Sequence, residues 1–290
     1  MKVNNKHYRS IWYEKDSNTV KIIDQRELPY SFKVIDLDSL EDFRIAIKDM
    51  AVRGAPLIGA TAAFGIAKQM QKDCTDKALD NAWEVLNATR PTAINLRWAL
   101  NRCKDYLSQV ATTDRAKKAM ELALEISDED VEINRKIGEF GLDIISKISN
   151  QKKGDPVNIL THCNAGWLAT VDWGTALAPI YKAHDAGIPI HIWVDETRPR
   201  NQGASLTAWE LGKHGVPHTV IVDNVGGHLM QHGMVWQEST RCKESSTRTA
   251  ATASTPSRSV PMARGSRADA PRSASGSLVT ASESVLPNNR

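Results

Sequence analysis

Three short apolar runs in the second half of the chain, Val157 to Thr161, Ile190 to Val194 and Thr219 to Val222, constrain the architecture more than any other feature. They are too short for buried helices, and helical stretches, Leu168 to Ala186 and Leu206 to His214, separate them. The alternation reads βαβαβ, and strands this apolar favour a parallel sheet covered on both faces. In such sheets ligands gather outside the carboxyl ends of the strands. The segments at that edge are His162-Cys163-Asn164-Ala165-Gly166, Asp195 to Arg200 and Asp223 to His228. Polar chemistry is therefore concentrated at one end of the sheet.

The first half has a different rhythm. Arg9 to Tyr13 and Thr19 to Asp24 alternate apolar and polar residues about Asp16-Ser17-Asn18, which predicts a β-hairpin opening the fold. Ser39 followed by Asp42 makes a capping-box start for a helix through Leu40, Phe43, Ile47 and Met50. Leu96, Leu100, Cys103, Leu107 and Val110 fall at helical spacing after Arg90-Pro91-Thr92, and so do Ile133, Ile137, Phe140, Ile144 and Ile148. The polar stretch Asn150 to Pro156 marks a boundary. The expected fold class is α/β, with a mainly helical N-terminal domain (1–150) carrying a small antiparallel β element, and then the parallel-sheet domain (151–237).

Beyond Gln237 the composition breaks. Residues 238–290 hold 12 Ser, 6 Thr and 8 Ala and no Ile, Phe, Tyr or Trp, so this low-complexity tail is expected to be disordered. Of the 37 Lys and Arg and 34 Asp and Glu in the 290-residue chain, the tail holds 8 and 4, so the slight basicity belongs to it. Its arginines are spread singly rather than clustered, which argues against a nucleic-acid partner. No run of 18 apolar residues and no apolar leader points to a membrane, so a soluble cytoplasmic protein is expected. Four scattered cysteines and no HExxH or GxGxxG spacing predict neither a metal nor a dinucleotide, and no cofactor is expected.

Several residues could carry chemistry. Cys163 follows a strand and precedes a Gly turn, a setting that can lower a thiol pKa or orient it towards a ligand; taken alone, a small free thiol near a sheet is more often buried filler than a reactive group. Cys74 and Cys103 read as filler. Arg53-Gly54-Ala55-Pro56 places a guanidinium and free backbone N–H groups at a helix start, where a phosphate can be held, and Arg90-Pro91-Thr92 repeats the arrangement. Each is otherwise an ordinary helix start with a solvated Arg; two together favour an anionic ligand. Asp195 and Glu196 point to opposite faces, so one at most enters a given cleft, and Arg198 and Arg200 beside them form either a ligand site or a salt-bridged loop. Gln202, next to Gly203, could bond a sugar hydroxyl or phosphate.

Six motifs in order, Met50 to Pro56, Arg90 to Leu96, Leu160 to Gly166, Asp195 to Pro199, Gln202-Gly203-Ala204 and Asp223-Asn224, resemble the methylthioribose-1-phosphate isomerase family over roughly residues 8–235. That family is related to ribose-1,5-bisphosphate isomerases and to the non-enzymatic regulatory subunits of translation initiation factor 2B. The resemblance implies a Rossmann-like second domain, here incomplete, a homodimer, and a phosphosugar substrate isomerised from aldose to ketose in methionine salvage. It assigns substrate contacts to Arg53, Gly54, Ala55, Arg90 and Gln202, and makes Cys163 the transition-state stabiliser or base.

The resemblance stops at Val235. The family continues with a strand, a catalytic acid Asp in a G-A/T-D-R motif, and an Asn-Lys pair. Counting forward without a gap puts Lys243 at the acid and Ala253 and Ser254 at the pair, so the family's acid is missing and this chain's activity is in doubt. The segment reads as unrelated sequence, as an altered reading frame would produce. Loss of the later strands is expected to leave Thr219 to Val222 as an open, aggregation-prone edge.

Overall fold

A computed structural model describes residues 1–4 and 6–235. The expected tail and the positions counted for the acid and the Asn-Lys pair lie outside the described residues.

The hairpin forms as β3 (Ile11–Glu14) and β4 (Thr19–Ile23), joined by β5 (Val34–Leu37) in an antiparallel sheet of order β3-β4-β5. It does not open the fold, because a two-residue ladder of β1 (Lys2–Val3) and β2 (Lys6–His7) precedes it. Helix α1 (Leu40–Lys48) starts at the expected capping box, with Ser39 and Asp42 satisfying each other's backbone N–H groups. Helix α2 (Ala55–Lys72) is buried almost all round, from Leu57 to Met70, and so forms the centre of the helical part. Around it stand α3 (Asp76–Asn87), α4 (Ile94–Leu107) and α5 (Thr112–Gln151). Helix α4 starts at Ile94 rather than directly after Pro91, with Ala93 at its N-cap.

Helix α5 has 40 residues, so it spans about 60 Å and reaches both apolar cores. Ala119, Ala123 and Ile126 belong to the core around α2, whereas Ile145 and Ile148 belong to the core around the parallel sheet. The second core also takes Met1, Val3, Ile23 and Leu28 from the N-terminal segment.

The sheet is parallel, as expected from the βαβαβ alternation, and its strands lie in chain order. Strands β6 (Val157–Thr161), β7 (Ile190–Asp195) and β8 (His218–Ile221) pair side by side in parallel register, Val157 opposite Ile190 and Ile192 opposite His218. The connections differ from the expected pair of helices. Only a 3-10 turn at Trp167–Ala169 and α6 (Ala178–Asp185) are helical in the first, because the intervening segment bends back to bond Ser10, just before β3. The second is a π-turn, Gly203–Thr207, running into α7 (Ala208–His214), and α8 (Gly226–Gln231) follows β8.

Coverage of both faces is not met throughout, since Val220 on β8 is 43% exposed. Among the described residues β8 is an edge, as expected, and β6 is a second one, beside a groove of about 400 Å3 lined by Ile144, Ile148, Ile159, Met230 and Val235.

The helical spacing of Ile133, Ile137, Phe140 and Ile144 is real, but the stripe faces outward, with Phe140 73% exposed, while Ile148 is buried. Burial and not residue type sets the cost of truncation. Phe43→Ala, which empties a fully buried site on α1, is expected to cost about 3–5 kcal/mol, and Phe140→Ala about 0.5 kcal/mol or less. Urea unfolding of the two variants checks this; equal losses would show that Phe140 is covered.

Candidate functional site

The carboxyl end of β6 carries the loop that begins at His162. Cys163 takes a left-handed backbone conformation, φ +62°, uncommon for any residue with a side chain. Its N–H donates to Thr197 Oγ1 at 2.6 Å, and its carbonyl accepts from Thr207 Oγ1 at 2.7 Å. Its Sγ donates to Gln202 Oε1 at 3.6 Å. Cys163 and Gln202, named separately from the sequence, are thus neighbours, because β6 and β7 pair in parallel and end together.

Arg53 joins them from the helical part. It is buried, and burial lowers its guanidinium to about 10 from an ordinary 12.5; Cys163 is near enough to oppose that shift and Arg200 to add to it. The group stays charged at neutral pH. Its Nε donates to Gln25 Oε1 at 3.4 Å, and buried Gln25 in turn donates from Nε2 to the Leu168 carbonyl at 2.6 Å. Gly54 caps α2 at φ +96°, and a Cβ there would stand 2.2 Å from the Ala169 carbonyl oxygen, so only glycine lets the start of α2 lie against this segment. Ala55, the first residue of α2, is exposed.

Gly203 plays the same part beside Gln202. A Cβ would meet the Asp195 carbonyl oxygen at 1.7 Å, and the Gly203 N–H donates to the Glu196 carbonyl. Of the two acids at the end of β7, Asp195 is the buried one, and its Oδ2 lies 3.0 Å from His162 Nδ1. Its Oδ1 is buried with no hydrogen-bond partner among the described residues. The Asp223 carboxylate accepts the backbone N–H groups of Thr197 and Arg198, so the loop after β7 is held by a carboxylate from the loop after β8.

Arg90 is not drawn into this cluster by any hydrogen bond or ion pair among the described residues. Cys74 donates to the Met70 carbonyl, and burial pushes the Cys103 thiol up to about 12, which matches the reading of both as inert. A larger groove of about 760 Å3 lies between α4 and α5, lined by Trp98, Arg102, Tyr106 and Glu125, and shares no residue with the Cys163 loop. Arg102 is already paired there with Glu125 and Glu129. Among the described residues no group of three or more His, Cys, Asp or Glu side chains could hold a metal ion. What the site offers chemically is a partly buried thiol, an amide oxygen and two guanidinium groups at the ends of two parallel strands.

Sequence reasoning missed Gln25, Thr207 and Glu210. Glu210 is fully buried on α7 and accepts from Asn164 Nδ2, which ties the Cys163 loop to that helix. Burial pushes Glu210 up to about 8 from 4.5, so folding retains a proton that the unfolded chain releases. The stability linked to this group is then full below about pH 4.5 and falls as the pH rises towards 8. Glu210→Gln is expected to lose that decline, its advantage over the parent growing by at most ~1.4 kcal/mol per pH unit. Thermal melting at about pH 5, 6, 7 and 8 checks this. Equal slopes in the two proteins would mean that Glu210 is ionised in the folded state.

Comparison with known proteins places this arrangement in context. A family model described as the initiation factor 2 subunit family matches residues 51–236. The methylthioribose-1-phosphate isomerase of Brucella anthropi is 62% identical over 234 residues, covering 80% of this chain and 64% of its own length. That of Sinorhizobium medicae is 60% identical over 236 residues, covering 81% and 65%. The chain therefore spans somewhat less than two thirds of these curated relatives. Among solved structures, the 5-methylthioribose 1-phosphate isomerase of Pyrococcus horikoshii OT3 matches with a TM-score of 0.70 at 40% identity, over 79% of this chain and 64% of that one. The translation initiation factor eIF-2B subunit delta from A. fulgidus matches with a TM-score of 0.68 at 39% identity, over 79% and 66%. The family match takes in Arg53, Cys163, Gln202 and Asp223 and covers more than half of the sequence, and the chain belongs to the initiation factor 2 subunit family.

Proposed function

We propose that this chain carries the substrate-binding half of an aldose–ketose isomerase site for 5-methylthioribose 1-phosphate, whose product is 5-methylthioribulose 1-phosphate, in methionine salvage. One observation carries the reading: the Cys163 thiol is held beside Gln202, and the buried Arg53 guanidinium lies near enough to both Cys163 and Arg200 to feel their charges. Two cations suit a phosphate dianion, and the buried one is only lightly bonded within the protein. The names of the relatives at about 60% identity support the substrate. In this reading Arg53, Gly54, Ala55, Arg90 and Gln202 contact the phosphosugar, residues 1–150 and 151–237 act as two domains, and the protein works as a cytoplasmic homodimer without metal or cofactor.

The chemistry explains the need for such groups. Phosphate on C1 blocks simple hemiacetal opening, so the ring oxygen must be protonated as its bond to C1 breaks; hydrogen then moves from C2 to C1. Cys163 serves either as the base in a proton transfer or as a wall of a water-poor pocket for a hydride shift. The ring-opening proton needs an acid, and the ungapped count puts Lys243 in its place.

Binding without appreciable turnover is therefore expected. Calorimetry with the thio-sugar phosphate should give a measurable affinity that Arg53→Ala weakens by roughly 10- to 100-fold, the value of a charged hydrogen bond to phosphate. An affinity unchanged by that substitution would remove Arg53 from the site. Turnover at an ordinary enzymatic rate would mean that another group donates the proton. Ribose 1,5-bisphosphate, run in parallel, tests the related substrate. A second reading, a non-enzymatic regulatory module, is favoured by the likeness to the A. fulgidus factor subunit, and it predicts that neither phosphosugar binds.

A further inference from the structure

The backbone at Cys163 is strained, and the two peptide groups on either side of its Cα are each held by a buried hydroxyl. Fixing both peptide planes fixes φ and ψ between them, and with them the direction of the Cα–Cβ bond. The hydroxyls have no freedom to turn away. Thr197 Oγ1 accepts from the Cys163 N–H, so its single proton goes to the Asp195 carbonyl at 3.3 Å. Thr207 Oγ1 gives its proton to the Cys163 carbonyl and accepts from Asn164 Nδ2 at 3.2 Å.

Both threonines are themselves anchored. Thr197 has φ +53°, and its N–H is taken by the Asp223 carboxylate at 2.6 Å. Thr207, fully buried, ends the π-turn that begins at Gly203, directly after Gln202. One local irregularity therefore sets both the hydroxyl behind the cysteine and the amide in front of its sulfur, a use in keeping with π-turns at functional sites. A cysteine that only filled space would need neither the strained backbone nor two dedicated donors and acceptors.

We propose that Thr197 and Thr207 form a two-sided hydroxyl clamp that holds Cys163 in its left-handed conformation and aims the thiol at Gln202. Both are positioning residues, since they act through Cys163. The clamp deepens the proposed function and rests on the reading of Cys163 as the thiol that meets the sugar.

The experiment is site-resolved alkylation of the 290-residue chain with iodoacetamide, each cysteine followed by peptide mass mapping. Thr207→Val keeps shape and removes the hydroxyl, and is expected to raise the Cys163 rate about threefold or more as the loop relaxes. Thr207→Ser, which restores the hydroxyl, is expected to return it to the parent rate. Buried Cys103 reports global opening, which a merely structural role would increase, and its rate is expected to stay constant. Thr197→Val should act in the same direction. An unchanged Cys163 rate in both valine variants overturns the clamp, and so does a parallel rise at Cys103 in both. A rise at Cys103 in one variant alone marks loss of fold there, and the other then decides by the same comparison. Phosphosugar affinity of the parent, measured alongside, keeps the two readings apart: a changed alkylation rate in a protein that binds neither phosphosugar upholds the clamp and overturns the proposed substrate.

Discussion

The backbone from Trp167 to Val171 is the seam on which the site depends. It leaves the expected helical path, so its polar groups must find partners elsewhere, and they find them beside the N-terminal sheet, at Ser10 and Gln25, and on α5, where Asp130 accepts the Val171 N–H. Ser10 donates its hydroxyl to the Trp167 carbonyl and its N–H to the Val171 carbonyl; Gln25 donates to the Leu168 carbonyl. Gly54 closes on Ala169 from the start of α2. These bonds join the helical part to the parallel-sheet part, and without them Arg53 would have no fixed relation to Cys163. Because Gln25 also bonds Arg53, one buried amide sets both the seam and the orientation of the guanidinium.

Around the carboxyl end of the sheet, ordinary regularity gives way. Positive φ values at Cys163, Thr197, Arg200 and Asn201 and the π-turn at Gly203–Thr207 all fall within the loops after β6 and β7. At Cys163 and Thr197 the strained backbone is held by side chains from neighbouring loops, Thr197 and Thr207 for the first and Asp223 for the second. Strain, a buried Asp195 oxygen without a partner among the described residues and a buried Glu210 carboxyl pushed up to about 8 collect at this end of the sheet, which supports the ligand site proposed above.

Much of the frame was legible in the chain. The three apolar runs became three parallel strands, and the Ser39–Asp42 capping box and the hairpin formed where local patterns put them, because such patterns act over a few residues. The meeting of Cys163 with Gln202 followed from strands that end together. Less legible was the segment after Leu168, whose apolar residues suit a helix but whose backbone is claimed by Ser10, a residue over 150 positions away. Thr207 and Glu210 carried no signal at all, since a threonine and a glutamate within a helical stretch look like any others until burial gives them partners.

Periodicity, capping residues and turn residues settled the hairpin, the capped start of α1 and the three parallel strands, since each depends on neighbours a few positions along the chain. Tertiary structure decided the rest: that the Ile133 to Ile144 stripe of α5 faces outward, that Gln25 couples Arg53 to the seam, and that two distant hydroxyls grip Cys163. Those outcomes depend on which surfaces remain free once the cores have filled and on which buried polar groups then meet. Packing in three dimensions determines both, and no window of sequence contains them.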